Sequence, residues 1–171
     1  VYVQSRTLRV DYVFSVTDKA TEISLDRLYA FDGWAGRRVN LDKVPVKGNG
    51  QISMTDIASG KVIYMQSFST LFQEWKTTEE AVKLRKAFEN TFLLPMPSDK
   101  AVVKVELYDF FGNVSASLSH VVDPSDILIR KMDPVAPPHR YLLKSGSPEE
   151  KIDVAIVAEG YTEEEAEQFY H

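Results

Sequence analysis

The chain has 171 residues, a net charge of −5 and no cysteine. Its hydrophobic content of 44% and charged content of 26% are ordinary for a globular protein that can bury a core. The missing cysteines exclude disulfides, thiolate metal sites and cysteine nucleophiles. The acidic balance argues against a nucleic-acid partner, and no apolar stretch has the length that a membrane span requires.

Alternating side chains predict the first strand, because every second residue from Leu8 to Val16 is apolar. A second strand is expected over residues 23–31. Two hairpins follow, one turning at Ser59-Gly60 and one with arms 101–110 and 114–122. Many short strands predict a mainly β fold, an antiparallel β-sandwich of immunoglobulin-like or jelly-roll-like type.

One helix is expected to interrupt the strands. Thr77-Thr78-Glu79-Glu80 has the composition of a helix start, with a capping hydroxyl and a glutamate close behind it. A stripe at helical spacing continues this pattern through Ala81, Leu84, Ala87 and Phe88. We therefore predict a helix that ends near Asn90, before an extended TFLLPMP segment.

The sequence divides into three parts. Residues 1–122 form the predicted β-sandwich, and residues 123–150 form a proline-rich connector. Residues 151–171 contain an apolar run at 152–158, expected to be a buried strand, and then a capping box of Thr162 and Glu165. This β–α segment is interpreted as the truncated start of a further α/β domain.

No residue pattern supports catalysis. The histidines are far apart in the sequence and lie outside any zinc-peptidase motif: His120, His139 and His171. Four aspartates are expected to cap turns because their spacing does not match a calcium loop: Asp18, Asp26, Asp32 and Asp42. The serines form no G-x-S-x-G elbow. We therefore predict no catalytic residue, no metal ligand and no cofactor within these residues.

The best candidate for binding is the segment FDGWAGRR, in which Trp34 lies between glycines and beside Arg37 and Arg38. An exposed tryptophan on a sandwich loop can stack against a sugar ring. Packing in the core is the alternative for both Trp34 and Trp75, because large aromatic side chains are usually mostly buried.

Several long stretches resemble the N-terminal domain of the M64 peptidases, bacterial zinc metallopeptidases that include IgA peptidases. These stretches are DGWAGRRVNLDKVPVKGNGQISM, SFSTLFQEWKTTEEA, AFENTFLLPMP and VDPSDILIRKM. The closing LLKSGSPEEKIDVAIVAEGYTEEEAEQFY resembles the first strand and helix of the catalytic domain that follows in that family.

The resemblance implies a non-catalytic accessory domain that supports or positions a downstream catalytic domain of the same chain. It also implies zinc bound by an H-E-x-x-H helix in that missing domain, with a glutamate as general base. Export is implied as well, to the cell surface or the medium. The alternative function is an independent β-sandwich module that binds a glycan or a glycoprotein substrate.

Overall fold

A computed structural model describes residues 1–44, 46–147 and 150–170. The predictions for Pro148 and His171 therefore lie outside the described residues. Within the described part, eight strands and three short α-helices follow one another, and a 3₁₀ turn over Glu163–Glu165 precedes the last helix. In chain order the elements are β1 (Val3–Val16), β2 (Thr21–Asp32), β3 (Gly50–Asp56), β4 (Val62–Phe68), α1 (Phe72–Trp75), α2 (Glu79–Lys83), β5 (Lys86–Pro97), β6 (Ala101–Tyr108), β7 (Val114–Val122), β8 (Arg130–Lys131) and α3 (Ala166–Phe169).

Two four-stranded sheets make up the fold. One sheet has the strand order β5-β1-β2-β8, and the other has the order β4-β3-β6-β7. Every neighbouring pair is antiparallel apart from β2 and β8, which run parallel over two residue pairs. The prediction of a mainly β, antiparallel β-sandwich is confirmed.

The core lies between the two sheets and follows from the alternation of side chains. In β1 the side chains from Leu8 to Val16 that face the second sheet are at most 1% exposed. The facing side chains of β3 and β6 are equally buried: Ile52, Met54, Val103, Val105 and Leu107. Burial of one such side chain stabilises the fold by about 1.5–3 kcal/mol, so this single layer supplies much of the driving force.

The predicted helix is shorter than its sequence pattern suggested. Thr78 is the N-cap of α2, and its hydroxyl accepts a hydrogen bond from the Ala81 amide at 3.4 Å. The helix ends at Lys83 and does not reach Asn90, because residues 86–90 pair with β1 as the start of β5. Pairing with a neighbouring strand thus overrides the helical stripe, and Phe88 lies in β5 opposite Phe14.

The chain divides into two compact units, Val1–Asp133 and the stretch from Pro134 onward. The first unit contains the predicted sandwich and also β8, which pairs with Tyr29 and Ala30 of β2. The boundaries predicted at residues 122 and 150 remain predictions.

The strand predicted over residues 152–158 is not formed. A strand exists only with a hydrogen-bonded neighbour, and no segment of the described chain pairs with these residues, all of which are exposed. The predicted capping box does form: the Thr162 amide donates to the Glu165 carboxylate at 3.0 Å, and the 3₁₀ turn starts there.

Candidate functional site

Residues 33–44, here named the Trp34 loop, lead away from the end of β2. The Trp34 indole is half-buried, and its Nε1–H donates to the carbonyl oxygen of Arg37 at 2.8 Å. Its ring meets the ring of Tyr64 edge to face, with centroids 5.9 Å apart. Gly36 makes room for the indole, because a Cβ atom there would lie 2.2 Å from the Trp34 ring. Trp34 therefore packs the loop against β4.

Arg37 also attaches the Trp34 loop to β4. Its guanidinium donates to the carbonyl oxygens of Asn40, Lys43 and Met65, and it lies 5.7 Å from the centroid of the Tyr64 ring. Burial raises the pKa of the Tyr64 hydroxyl, and the nearby Arg37 opposes that rise. Three backbone carbonyls thus occupy three of the five guanidinium N–H donors of Arg37.

Arg38 is exposed, and one of its guanidinium nitrogens donates to the Trp34 carbonyl oxygen at 3.3 Å. The structure thus brings Trp34 and Arg37 together as a packing pair and leaves Arg38 at the surface. Beside the loop lies a shallow depression of about 250 Å³. The described residues that line this depression are Arg37, Val44, Val46, Met65, Gln66 and Ser67.

Buried Tyr12 and half-buried His120 form a pair of titratable groups between the two sheets. The Tyr12 hydroxyl lies 2.7 Å from Nε2 of His120, while Nδ1 of His120 is buried without a hydrogen-bond partner. Burial lowers the pKa of His120 and raises that of Tyr12. Tyr12 is 1% exposed and its ring also meets Phe92, so Tyr12 lies in the packed core, and half-buried His120 packs against it.

Sequence reasoning missed the most exposed aromatic residues. Residues 109–113, here named the Phe turn, join β6 to β7, and Phe110 and Phe111 are 97% and 85% exposed. Their rings meet edge to face, with centroids 5.8 Å apart. The available signal was the sequence DFFGN, in which Asp109, Gly112 and Asn113 are turn formers and leave two phenylalanines at the tip.

The backbone holds the Phe turn without help from the phenylalanine rings. One carboxylate oxygen of Asp109 accepts from the amides of Phe111 and Asn113, at 2.9 and 2.8 Å. The other accepts from the Asn113 side chain, and Gly112 adopts a φ of 83°. These hydrogen bonds, led by the Asn113 side chain, lower the pKa of Asp109.

No metal site is found among the residues that the structure describes. They contain no group of three or more histidine, aspartate or glutamate side chains that could hold an ion. In the same part of the chain, no helix combines the length and the apolar character needed to cross a bilayer.

The fold defines a class of protein: a domain built as an antiparallel β-sandwich. The chain belongs to the Peptidase M64 N-terminus family, whose family model matches residues 1–119. The matched range runs from β1 into β7 and confirms the resemblance of this part of the chain to the N-terminal domain of M64 peptidases. No curated protein matches the chain.

Proposed function

We propose that this chain contains the non-catalytic accessory domain of a secreted M64-type zinc metallopeptidase. In this role the sandwich supports or positions a peptidase domain of the same chain. The observation that carries the proposal is the family match over residues 1–119, which takes in most of the sandwich and defines it as the N-terminal part of a peptidase. The proposal assigns zinc to the peptidase domain of the same chain.

The stretch from Pro134 onward supports the proposal in a second way. Ile152, Val154 and Val157 are 92%, 83% and 84% exposed, in a run that has strand-forming composition and no pairing partner. Apolar side chains in such numbers are normally covered in a folded protein. We propose that residues 151–171 belong to the linked peptidase domain, whose further strands cover this run.

The first test is to sequence the reading frame beyond His171. We expect an H-E-x-x-H helix within the length of one domain, because two histidines four residues apart on a helix can share a zinc ion. A frame that ends soon after His171, or that continues without such a helix, would contradict the proposal.

A second test uses the 171-residue chain itself. We expect no cleavage of casein or of small peptides, with or without added Zn²⁺, because the described residues form no cluster that could activate a metal-bound water. Zinc-dependent cleavage that persists through repurification and is abolished by chelation would show that the chain is itself an enzyme.

The alternative function, binding of a glycan or glycoprotein through Trp34, Arg37 and Arg38, has one observation in its favour. Arg38 is exposed directly beside the half-exposed Trp34. A screen of the chain against immobilised glycans tests it, with Arg38→Ala as the variant and Arg85→Ala as a surface control. Binding that is lost in the first variant and kept in the second would favour a binding module.

A further inference from the structure

Exposed apolar side chains gather at one end of the sheet that contains β4, β3, β6 and β7. At this end β3 begins at Gly50, β4 ends at Phe68, and the Phe turn joins β6 to β7. Two further loops reach the same end, residues 46–49 and residues 69–71. The apolar side chains of the three loops are between 75% and 97% exposed, and we name them the apolar tip: Val46, Leu71, Phe110 and Phe111.

Asn49 connects the three loops. Its backbone carbonyl oxygen accepts from the amide of Tyr108, the residue before the Phe turn, at 2.8 Å. Its side-chain oxygen accepts from the amide of Thr70, the residue before Leu71, at 3.0 Å. The members of the apolar tip therefore lie on loops that are bonded to one another, and they form one surface.

The backbone of the Phe turn is largely paired within the turn itself. The amides of Phe111 and Asn113 donate to the Asp109 carboxylate, and the Gly112 amide donates to the Asp109 carbonyl oxygen at 3.0 Å. The Asp109 amide donates to the Asn113 carbonyl oxygen at 2.8 Å. An amide that leaves water without a partner costs free energy. Because all its amides except that of Phe110 are paired in this way, the turn can enter an apolar phase at low cost.

The charges on the three loops favour an anionic surface. The loops carry two charged side chains, Lys47 and Asp109. The Asp109 carboxylate accepts hydrogen bonds from two amides and from the Asn113 side chain. Lys47 is exposed, and its ammonium group has no hydrogen-bond or ion-pair partner among the described residues. The charge that remains available to a partner is therefore positive.

We propose that the apolar tip docks the sandwich on the surface of an anionic lipid bilayer. Phe110 and Phe111 enter the boundary between the headgroups and the acyl chains, and Lys47 contacts the lipid phosphates. The attachment is peripheral, because the tip consists of a few side chains on loops and not of a segment that crosses the bilayer. The proposal does not depend on the presence of a peptidase domain.

A lipid surface fits the apolar tip better than a protein surface does. Phe110 is 97% exposed, so almost nothing in the sandwich covers it and its side chain projects into solvent. A bilayer interface closes around a projecting side chain of any shape, whereas a protein partner needs a matching pocket and hydrogen bonds at a polar rim. The Phe turn offers few donors to such a rim, because it uses most of them itself.

The first experiment measures co-sedimentation of the 171-residue chain with lipid vesicles. An equimolar mixture of phosphatidylcholine and phosphatidylglycerol provides the anionic surface, and pure phosphatidylcholine provides the uncharged comparison. We expect binding to both, with higher affinity for the anionic vesicles. High salt should remove this preference because it screens the charge of Lys47, and it should leave the apolar contribution in place.

Three variants locate the contact. Phe110→Ser combined with Phe111→Ser should weaken binding to anionic vesicles at least roughly tenfold. The matched control, Ile127→Ser with Leu128→Ser, removes two side chains that are 93% and 75% exposed outside the tip, and it should bind like the parent chain. Lys47→Gln should weaken binding to anionic vesicles roughly fivefold and leave binding to phosphatidylcholine unchanged. Circular dichroism checks that each variant folds, as expected for substitutions of exposed side chains.

A spectroscopic measurement shows which residues enter the lipid. The ¹⁵N-labelled chain is mixed with bicelles that contain phosphatidylglycerol and a lipid with a nitroxide on its acyl chain. We expect the nitroxide to broaden the amide signals of Leu71, Phe111 and Gly112. Signals from the Trp34 loop and from β8 should keep their intensity.

Three results would overturn the proposal. The first is the absence of co-sedimentation at about 5 mM anionic lipid, where a binding constant of about 10³ M⁻¹, tenfold below that of one myristoyl chain, would leave most of the chain bound. The tip would then be a surface for a protein partner. The second is binding that persists when both phenylalanines are replaced, or that falls equally in the Ile127 and Leu128 control. The third is a stable dimer in analytical ultracentrifugation that the phenylalanine variant dissociates, because a second copy would then cover the tip.

Discussion

The Trp34 loop and the Phe turn both carry aromatic side chains beside a glycine, yet they direct those side chains in opposite ways. In the Trp34 loop the indole turns inward against Tyr64, and Arg37 ties the backbone to β4. In the Phe turn both rings point into solvent. The two loops differ in the contacts that hold them. The side chains of Trp34 and Arg37 hold the Trp34 loop, whereas backbone amides that donate to the Asp109 carboxylate hold the Phe turn.

If an aromatic side chain holds a loop in its conformation, a ligand that displaced this side chain would also disrupt the loop. A loop held by its backbone can present aromatic side chains freely. An aromatic residue between glycines therefore identifies a binding surface only after the hydrogen bonds that hold the loop are known.

The largest expected effect comes from Trp34→Ala. The substitution removes the ring contact with Tyr64 and the hydrogen bond to Arg37, and should lower the free energy of unfolding by about 3 kcal/mol. Urea unfolding followed by circular dichroism measures the loss. A loss below about 0.5 kcal/mol would mean that the indole does not hold the loop and is available for stacking.

Gly36→Ala should have a smaller effect in the same direction. The new Cβ atom would lie 2.2 Å from the Trp34 ring, and displacement of the ring should cost about 1–3 kcal/mol. The control is the same change in a Trp34→Ala background, where the clash is absent and little further loss is expected. Additive losses in the double variant would show that Gly36 acts independently of the indole.

Acid should loosen the Phe turn and leave the Trp34 loop in place. Because the folded-state pKa of Asp109 is lowered, its contribution to stability is full above its ordinary pKa of 3.8 and is lost as the pH falls through the folded value. Carboxyl chemical shifts should give a midpoint below 3.8, and the Phe111 and Asn113 amides should shift with it.

As the pH falls, protonation of His120 should lower the stability at a higher pH than protonation of Asp109 does. The two effects must be measured separately. Its folded pKa is lowered by burial, so protonation favours the unfolded state and stability declines as the pH falls below the ordinary value of 6.5. Repeating the titration with His120→Phe removes that step and leaves the Asp109 step. If the Asp109 midpoint lies at or above 3.8, the carboxylate does not hold the turn.

The smallest effect is expected for Phe110→Ala and Phe111→Ala. Because both side chains are almost wholly exposed, each substitution should change the free energy of unfolding by less than about 0.5 kcal/mol. The same urea experiment measures it. A loss comparable with that of Trp34→Ala would mean that these rings are covered in solution and that the two loops do not differ.

Much of the fold is predictable from local pattern. The alternation in β1 and the turn residues at Ser59-Gly60 identified strands and a hairpin, because side-chain period and turn chemistry are local properties. The end of α2 was not predictable in this way. Residues 86–90 carry a helical stripe, and only pairing with the distant β1 makes them a strand.

The candidate site was less predictable than the fold. The sequence places Trp34 beside glycines, but the partners that turn it inward, Tyr64 and Met65, lie in a different hairpin. The strand expected at 152–158 was wrong because an apolar run predicts strand-forming composition only. Whether another segment lies beside it to form hydrogen bonds depends on the rest of the fold.

The short parallel pairing of β8 with β2 gives the sandwich a mechanical property. Tension applied to the chain beyond Asp133 reaches β8 first, where two residue pairs and the hydrogen bond from the Met132 amide to Ala30 resist it. The short pairing of β8 with β2 should separate before the longer pairing of β1 with β2, which extends from Arg6 to Val16 of β1. We therefore expect that pulling on the chain beyond Asp133 detaches β8 from β2 while the β1–β2 pairing stays intact.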